Sequence, residues 1–186
     1  QDYISAAVFR PLGMASSSFV WRDEYAGRKA FGHTYTGASA GRSRITVGKA
    51  ASSLETTAGD YARFLVAAVQ GRGLKPSISR ELLQPQIRLE EGCVVCIGQP
   101  PRKPSNLHWG LGIGLQRAGG RNYAWHWGDN ETMQSYAAIE TGARRGVVVL
   151  TNSANGHSIA REIASNVLGF DAPGYAWVGA YGSYTD

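Results

Sequence analysis

Residues 124 to 130, Ala-Trp-His-Trp-Gly-Asp-Asn, hold the pattern best suited to chemistry. His126 and Gly128 stand two apart in a segment that reads as a strand, and residues i and i+2 of a strand share a face. One face would therefore carry an imidazole, able to donate a hydrogen bond or a positive charge. Beside it lies a position where a ligand can approach bare backbone. Trp127, between them, would point to the opposite face and pack in the core. His33, His108 and His157 show neither a His-x-x-x-His spacing nor a paired-carboxylate arrangement, which argues against a metal centre. No cofactor is implied. Asn130, Glu131 and Asn152 fall near strand ends, where loop solvation accounts for them.

Other motifs are weaker. Cys93 and Cys96 form a lone Cys-x-x-Cys, too few ligands for a structural zinc site. Gly98, Pro100, Pro101 and Pro104 follow it where a redox motif would want a helix, so it reads as a loop disulfide or two thiols. Gly110-x-Gly112-x-Gly114 lacks the capped helix that a phosphate loop requires. The net charge of +5 comes from 19 Lys and Arg scattered along 186 residues, with no basic run longer than the pair Arg144-Arg145, so nucleic-acid binding is disfavoured. With 43% hydrophobic and 18% charged residues the chain is of ordinary globular type. No apolar run approaches the roughly 20 residues of a bilayer-spanning helix.

The elements that must position residues 126 to 128 follow from period. Residues 2 to 9 read as the end of a helix, with Tyr3, Ile4, Ala7 and Val8 at helical spacing and Pro11 as its stop. A chain opening inside an element, without an initiator Met, reads as a processed product or a fragment. Residues 14 to 53 form a long irregular excursion. Thr57-Ala58-Gly59-Asp60 has capping-box form and precedes Tyr61, Phe64, Leu65, Ala68 and Val69, the best helix in the chain, ended by Gly71 and Gly73. A shorter helix starts near Ser77 and closes before Pro85, and residues 88 to 106 read as a loop between lobes. Trp109, Leu111, Ile113 and Leu115 alternate with glycines as one strand. Gly119-Gly120 turns that strand into residues 122 to 128. Further strands are expected at Gln134 to Glu140 and Gly146 to Thr151. A helix over 158–168 places Ile159, Ile163 and Val167 on one face, with Gly169 as its stop. This order gives an antiparallel sheet with helices packed against it and a separate helical lobe.

Four segments in order resemble the serine β-lactamase and penicillin-binding-protein superfamily, particularly class C β-lactamases and related esterases and D-peptidases. Ala6 to Met14 looks like the family's helix ending in Pro-Leu-Gly-Met. Ala51 to Leu65 looks like its Ser-Leu-x-Thr-Thr-x-x-Asp-Tyr segment, and Trp109 to Gly114 and Val147 to Asn152 look like its sheet strands. The resemblance implies an α/β (α+β) chain: an antiparallel sheet flanked by helices with part of a helical lobe, an incomplete β-lactamase/transpeptidase-like fold. Residues 1–106 would belong to the helical lobe with its long loops, 107–170 to the strands and closing helix of the α/β domain, and 171–186 to a tail.

The family's Lys/His-x-Gly motif maps onto His126, Trp127 and Gly128. By resemblance the backbone N–H of Asp129 is one oxyanion donor, the other coming from the nucleophile's own amide. The nucleophile motif, Ser-x-x-Lys, is missing: none of Lys29, Lys49, Lys75 and Lys103 has Ser three residues before it, and Thr46-Val47-Gly48-Lys49 is the nearest match. The Tyr-x-Asn proton-shuttle motif is also missing. The expected function is therefore that of the C-terminal fragment of a serine hydrolase acting through an acyl-enzyme on an ester, amide or β-lactam, inert alone. The implied partners are a small acyl substrate, the missing N-terminal half, and, through an open sheet edge, a second copy. A periplasmic or secreted setting follows from the resemblance only. The rival reading is a non-catalytic ligand-binding or protein-interaction module of a pseudoenzyme.

Overall fold

A computed structural model describes residues 1–89, 106–143 and 145–179. Both cysteines and most of the 88–106 loop lie outside these residues. The chain opens with α1 (Asp2–Ile4), which runs directly into a π-type turn, Ser5–Phe9. The wider turn shifts the register, so Phe9 is the buried residue, stacked on Phe19, while Tyr3 is 82% exposed. Arg10 keeps helical dihedrals before Pro11, and the chain reverses instead at Gly13, at φ 68°. There the Met14 N–H donates to the Phe9 carbonyl, burying Met14.

Residues 14 to 53 are mostly irregular, with a short hairpin of β1 (Gly32–His33) and β2 (Ser39–Gly41). The excursion is held at its base by Ser18, which exchanges both backbone hydrogen bonds with Glu55. Thr57 caps α2 (Ala58–Gln70) by accepting from the Asp60 N–H at 3.2 Å, and Gly71 ends it at φ 66°. The reciprocal half of the capping box does not form. The buried Asp60 carboxylate accepts instead from the Ser16 N–H, the Ser17 hydroxyl and Arg63, tying α2 to the excursion. α3 (Pro76–Leu82) follows, with proline at its first position.

The remainder is one six-stranded antiparallel sheet in chain order: β3 (Ile87–Arg88), β4 (Leu107–Trp109), β5 (Gly114–Ala118), β6 (Arg121–Asp129), β7 (Gln134–Glu140) and β8 (Gly146–Thr151). One expectation fails here. Residues 109 to 115 are not a single strand, because Gly112, at φ 73°, and a Gly110 N–H to Ile113 carbonyl bond reverse the chain between β4 and β5. Trp109 therefore pairs with Gly114, and Leu111 stands at the exposed turn. Gly119-Gly120, both with positive φ, make the expected two-residue turn into β6.

Helices cover both faces of the sheet. On one, Ala124, Ala137, Ile139, Leu115 and Ile113 pack against Leu65 of α2. On the other, Tyr123, Trp125, Tyr136 and Ala138 pack against α4 (Gly156–Leu168) and α5 (Tyr175–Val178). α4 buries Gly156, His157, Ala160, Ala164 and Leu168, so the expected stripe of Ile159, Ile163 and Val167 is the outward one, each about 40% exposed. Small residues win the sheet side because the helix lies close: a Cβ on Gly156 would fall 1.8 Å from Thr151 Oγ1. Residues 171–179, unplaced by pattern, enter the core through Ala172, Tyr175 and Val178. No helix among the described residues is long and apolar enough to cross a membrane.

Trp125 is slotted between two glycines. A Cβ at Gly114 would lie 2.3 Å from its ring, and one at Gly174 2.5 Å from it. Gly114→Ala is expected to cost about 1–3 kcal/mol by overpacking. Gly142→Ala, whose Cβ meets nothing within 4 Å, should stay within about 0.5 kcal/mol of the parent. Urea unfolding of both variants checks this, and equal midpoints would refute it.

Candidate active site

The C-terminal end of β6 is where backbone and side chains converge. Two hydrogen bonds that flank the β6–β7 ladder set its phase: Thr141 N–H to Asn122 carbonyl at 2.9 Å, and Asn130 N–H to Met133 carbonyl at 3.0 Å. Even-numbered residues of β6, His126 and Gly128 among them, therefore exchange backbone bonds with β7. Odd-numbered residues direct theirs to the β5 side. β5 begins at Gly114, opposite Trp125, so the backbone groups of Trp127 and Asp129 point past its end. Among the described residues no strand continues the ladder there.

Side chains follow the same parity. His126 and Gly128 share the face of Ala124, which is the α2 face, and Trp127 packs against the opposite core as expected. Its buried indole Nε1 has no hydrogen-bond partner among the described residues. His126 is half-buried, with its ring against Trp109 and Trp127 and its Nδ1 2.6 Å from the Trp127 carbonyl. A carbonyl only accepts, so Nδ1 carries the proton there. Nε2 is then an acceptor when the ring is neutral and a donor when it is charged. A Cβ at Gly128 would meet Ser135 Oγ at 2.6 Å, a contact that rotation of the serine hydroxyl relieves. The Asp129 carboxylate is engaged in the following turn, accepting from the Glu131 N–H at 2.9 Å and from Gln134 Nε2 at 3.1 Å.

Pattern reading missed two features. Asn130 and Asn152 are not merely solvated: their amides donate to the carbonyls of Ser52 and Phe31, docking the long excursion at this end of the sheet. His157 is fully buried behind β6, with Nε2 3.1 Å from the Gly128 carbonyl and Nδ1 3.0 Å from the Tyr175 hydroxyl. One neutral tautomer satisfies both, Nε2–H donating to the carbonyl and Nδ1 accepting from the tyrosine. Nothing in its spacing signals this, because α4 brings it to β6 only through the tertiary fold. Thr46, in the nearest match to a nucleophile motif, lies in an exposed stretch of loop. No group of three His, Cys, Asp or Glu able to hold a metal occurs among the described residues.

Burial lowers the pKa of His157, against smaller raising effects of the Gly128 carbonyl and the Asp129 charge. The unfolded chain then binds this proton more readily than the folded one, so protonation favours unfolding. Stability from this group is complete above the unfolded value, about 6.5, and is lost as pH falls below it towards the lower folded value. Urea titrations at two pH values either side of that point should show a larger acid loss for the parent than for His157→Gln. Equal losses would mean that the ring is not held neutral.

The fold has counterparts among known proteins. No curated protein matches the chain in sequence. A penicillin-binding protein homologue from Pyrococcus abyssi, octameric in its structure, superposes with TM-score 0.69 at 19% identity, covering 91% of this chain and 38% of that one. A β-lactamase/D-alanine carboxypeptidase from Pseudomonas syringae gives 0.67 at 14% identity, over 93% and 54%. The D-amino acid amidase of Ochrobactrum anthropi gives 0.58 at 22% identity, over 82% and 47%. The chain thus spans between 38% and 54% of the length of these structures. Their likeness shows an antiparallel sheet with flanking helices of the β-lactamase/transpeptidase type. The family model for β-lactamase matches residues 1–170, and the chain belongs to that family.

Proposed function

We propose that this chain is the C-terminal part of a serine hydrolase that acylates its serine with an ester, amide or lactam and then hydrolyses the acyl-enzyme. The nucleophile and general base would come from polypeptide outside these 186 residues, since no Ser-x-x-Lys occurs within them. The observation that carries the reading is the phase of β6, which turns the Trp127 and Asp129 backbone towards the side where, among the described residues, no strand follows the end of β5. An acyl group lying along that edge would place its carbonyl oxygen at the Asp129 N–H, the oxyanion donor. His126 Nε2 would meet a substrate carbonyl or carboxylate, and Gly128 would permit the close approach. The names of the neighbours favour amide-type substrates built on D-amino acids.

The covalent step is ordinary acyl transfer. The serine oxygen bonds to the acyl carbon, the leaving group departs with the serine's proton by way of the base, and water then attacks the ester, releasing the acyl group as a carboxylic acid and returning a proton to the serine oxygen. This chain's share is to bind and to stabilise charge. Its absence of a nucleophile makes the isolated chain inert.

Exposure to a reporter-tagged penicillin and a fluorophosphonate, read by denaturing gel and intact mass, is the test. Adduct is expected on polypeptide carrying the upstream segment and none on this chain alone. A label on residues 1–186 would overturn the placement of the nucleophile, and an upstream segment without Ser-x-x-Lys would favour the non-catalytic binding module. In the complete protein, His126→Ala should lower kcat/KM about 10- to 100-fold, the worth of one hydrogen bond to a charged group.

The open edge of β8 adds a second expectation. Leu150 is 40% exposed on this edge strand, and among the described residues the one pairing on that side is the bridge of His33 to Ser153, just past the end of β8. We propose that the missing half covers this edge and that the chain without it self-associates there. Sedimentation of the isolated chain should show concentration-dependent association that Leu150→Lys weakens. A strictly monomeric species would refute it.

A further inference from the structure

We propose that His157 is a positioning residue for the Gly128–Asp129 peptide: its Nε2–H anchors the Gly128 carbonyl and thereby aims the Asp129 N–H. The inference rests on the reading of that N–H as an oxyanion donor.

The Gly128 carbonyl and the Asp129 N–H belong to one planar peptide unit and point in opposite directions. Whatever holds the oxygen therefore sets where the N–H points. Glycine makes this unit the one along β6 with the most torsional freedom. On the β7 side the ladder partner is Ser135, and the imidazole adds a second donor to the same oxygen at 3.1 Å. A carbonyl has two lone pairs, so both bonds can form together.

His157 is itself fixed from three sides. Its backbone N–H donates to Gln134 Oε1 at 2.7 Å, its Nδ1 meets the Tyr175 hydroxyl at 3.0 Å, and its neighbour Gly156 lies against Thr151 and Gln134. Gln134 also donates to the Asp129 carboxylate at 3.1 Å. The start of α4 thus holds the peptide at both ends, the Gly128 carbonyl directly and Asp129 through Gln134. The hydrogen-bonded series Tyr175 to His157 to Gly128 polarises the peptide in the sense that makes its N–H a better donor. A fully buried imidazole at this point exceeds what packing alone requires, since a phenyl ring would fill similar space without needing two partners.

The test combines the Asp129 amide resonance in this chain with acylation kinetics in the complete protein. His157→Phe should move the Asp129 resonance and lower the acylation kcat about 10- to 100-fold, as expected for a misplaced donor. KM should stay within about threefold. His157→Gln, which retains an N–H donor, should recover kcat to within about fivefold of the parent. An unmoved Asp129 resonance with a kcat within about twofold of the parent in His157→Phe would overturn the inference. So would a kcat loss that His157→Gln does not recover, which marks a merely structural role. If His157→Phe does not fold, Tyr175→Phe decides: a moved Asp129 resonance with slower acylation supports the positioning role, and neither change overturns it. Failure of the parent to acylate at all would refute the proposed function, while the Asp129 amide would still report whether His157 orients the peptide.

Discussion

The phase of hydrogen bonding along β6 is the constraint on which the rest depends. A slip of one residue would send His126 and Gly128 to the tryptophan face and turn the Asp129 N–H into the β7 ladder. Several features oppose that slip at once. The Gly119-Gly120 turn fixes the β5–β6 pairing at Ala118 and Arg121. Trp125 fits only where Gly114 and Gly174 leave room for its ring. At the far end, the turn from Asp129 to Gln134 is closed by the Asp129 carboxylate through the Glu131 N–H and the Gln134 amide. Pairing, packing and turn chemistry agree, and such agreement gives a strand one register.

The helices depend on the same strand through close approach. α4 can lie on β7 and β8 because Gly156, Ala160 and Ala164 present almost no side chain to them. That closeness leaves Ile159, Ile163 and Val167 on the outer side, and it brings His157 within hydrogen-bond reach of Gly128. On the other face, Asp60 anchors α2 to Ser16 and Ser17, and Asn130 and Asn152 dock the long excursion against the sheet. Polar groups with complete partners therefore join the elements around the candidate site, where apolar packing alone would not fix orientation.

What was legible in the sequence was whatever depends on period or on a local breaker. β7 and β8 run over the expected residues, and α2 starts after Thr57 and ends at Gly71. The shared face of His126 and Gly128, with Trp127 opposite, also follows from period two alone. The break between β4 and β5 was not legible, because alternating glycines fit a strand and a turn equally and only the positive φ of Gly112 distinguishes them. The inward face of α4 was not legible either. Periodicity marks an apolar stripe, but the distance between helix and sheet decides whether isoleucine or alanine fits beneath it. His157 and the segment around Tyr175 acquire their places only from tertiary contacts.

The histidine at the first position of the proposed Lys/His-x-Gly motif takes on meaning from the same geometry. A lysine would bring a mobile point charge on a flexible stem. The imidazole at 126 is held by the Trp127 carbonyl and by two indole rings, so the direction of Nε2 is fixed before any ligand arrives. Pre-ordering of this kind lowers the entropy lost on binding, at the expense of reach. On the proposed function it would suit a ligand whose acceptor falls at one distance from its acyl carbon better than ligands with acceptors at varied distances. The indole N–H groups of Trp125 and Trp127, beneath the strand, have no hydrogen-bond partner among the described residues.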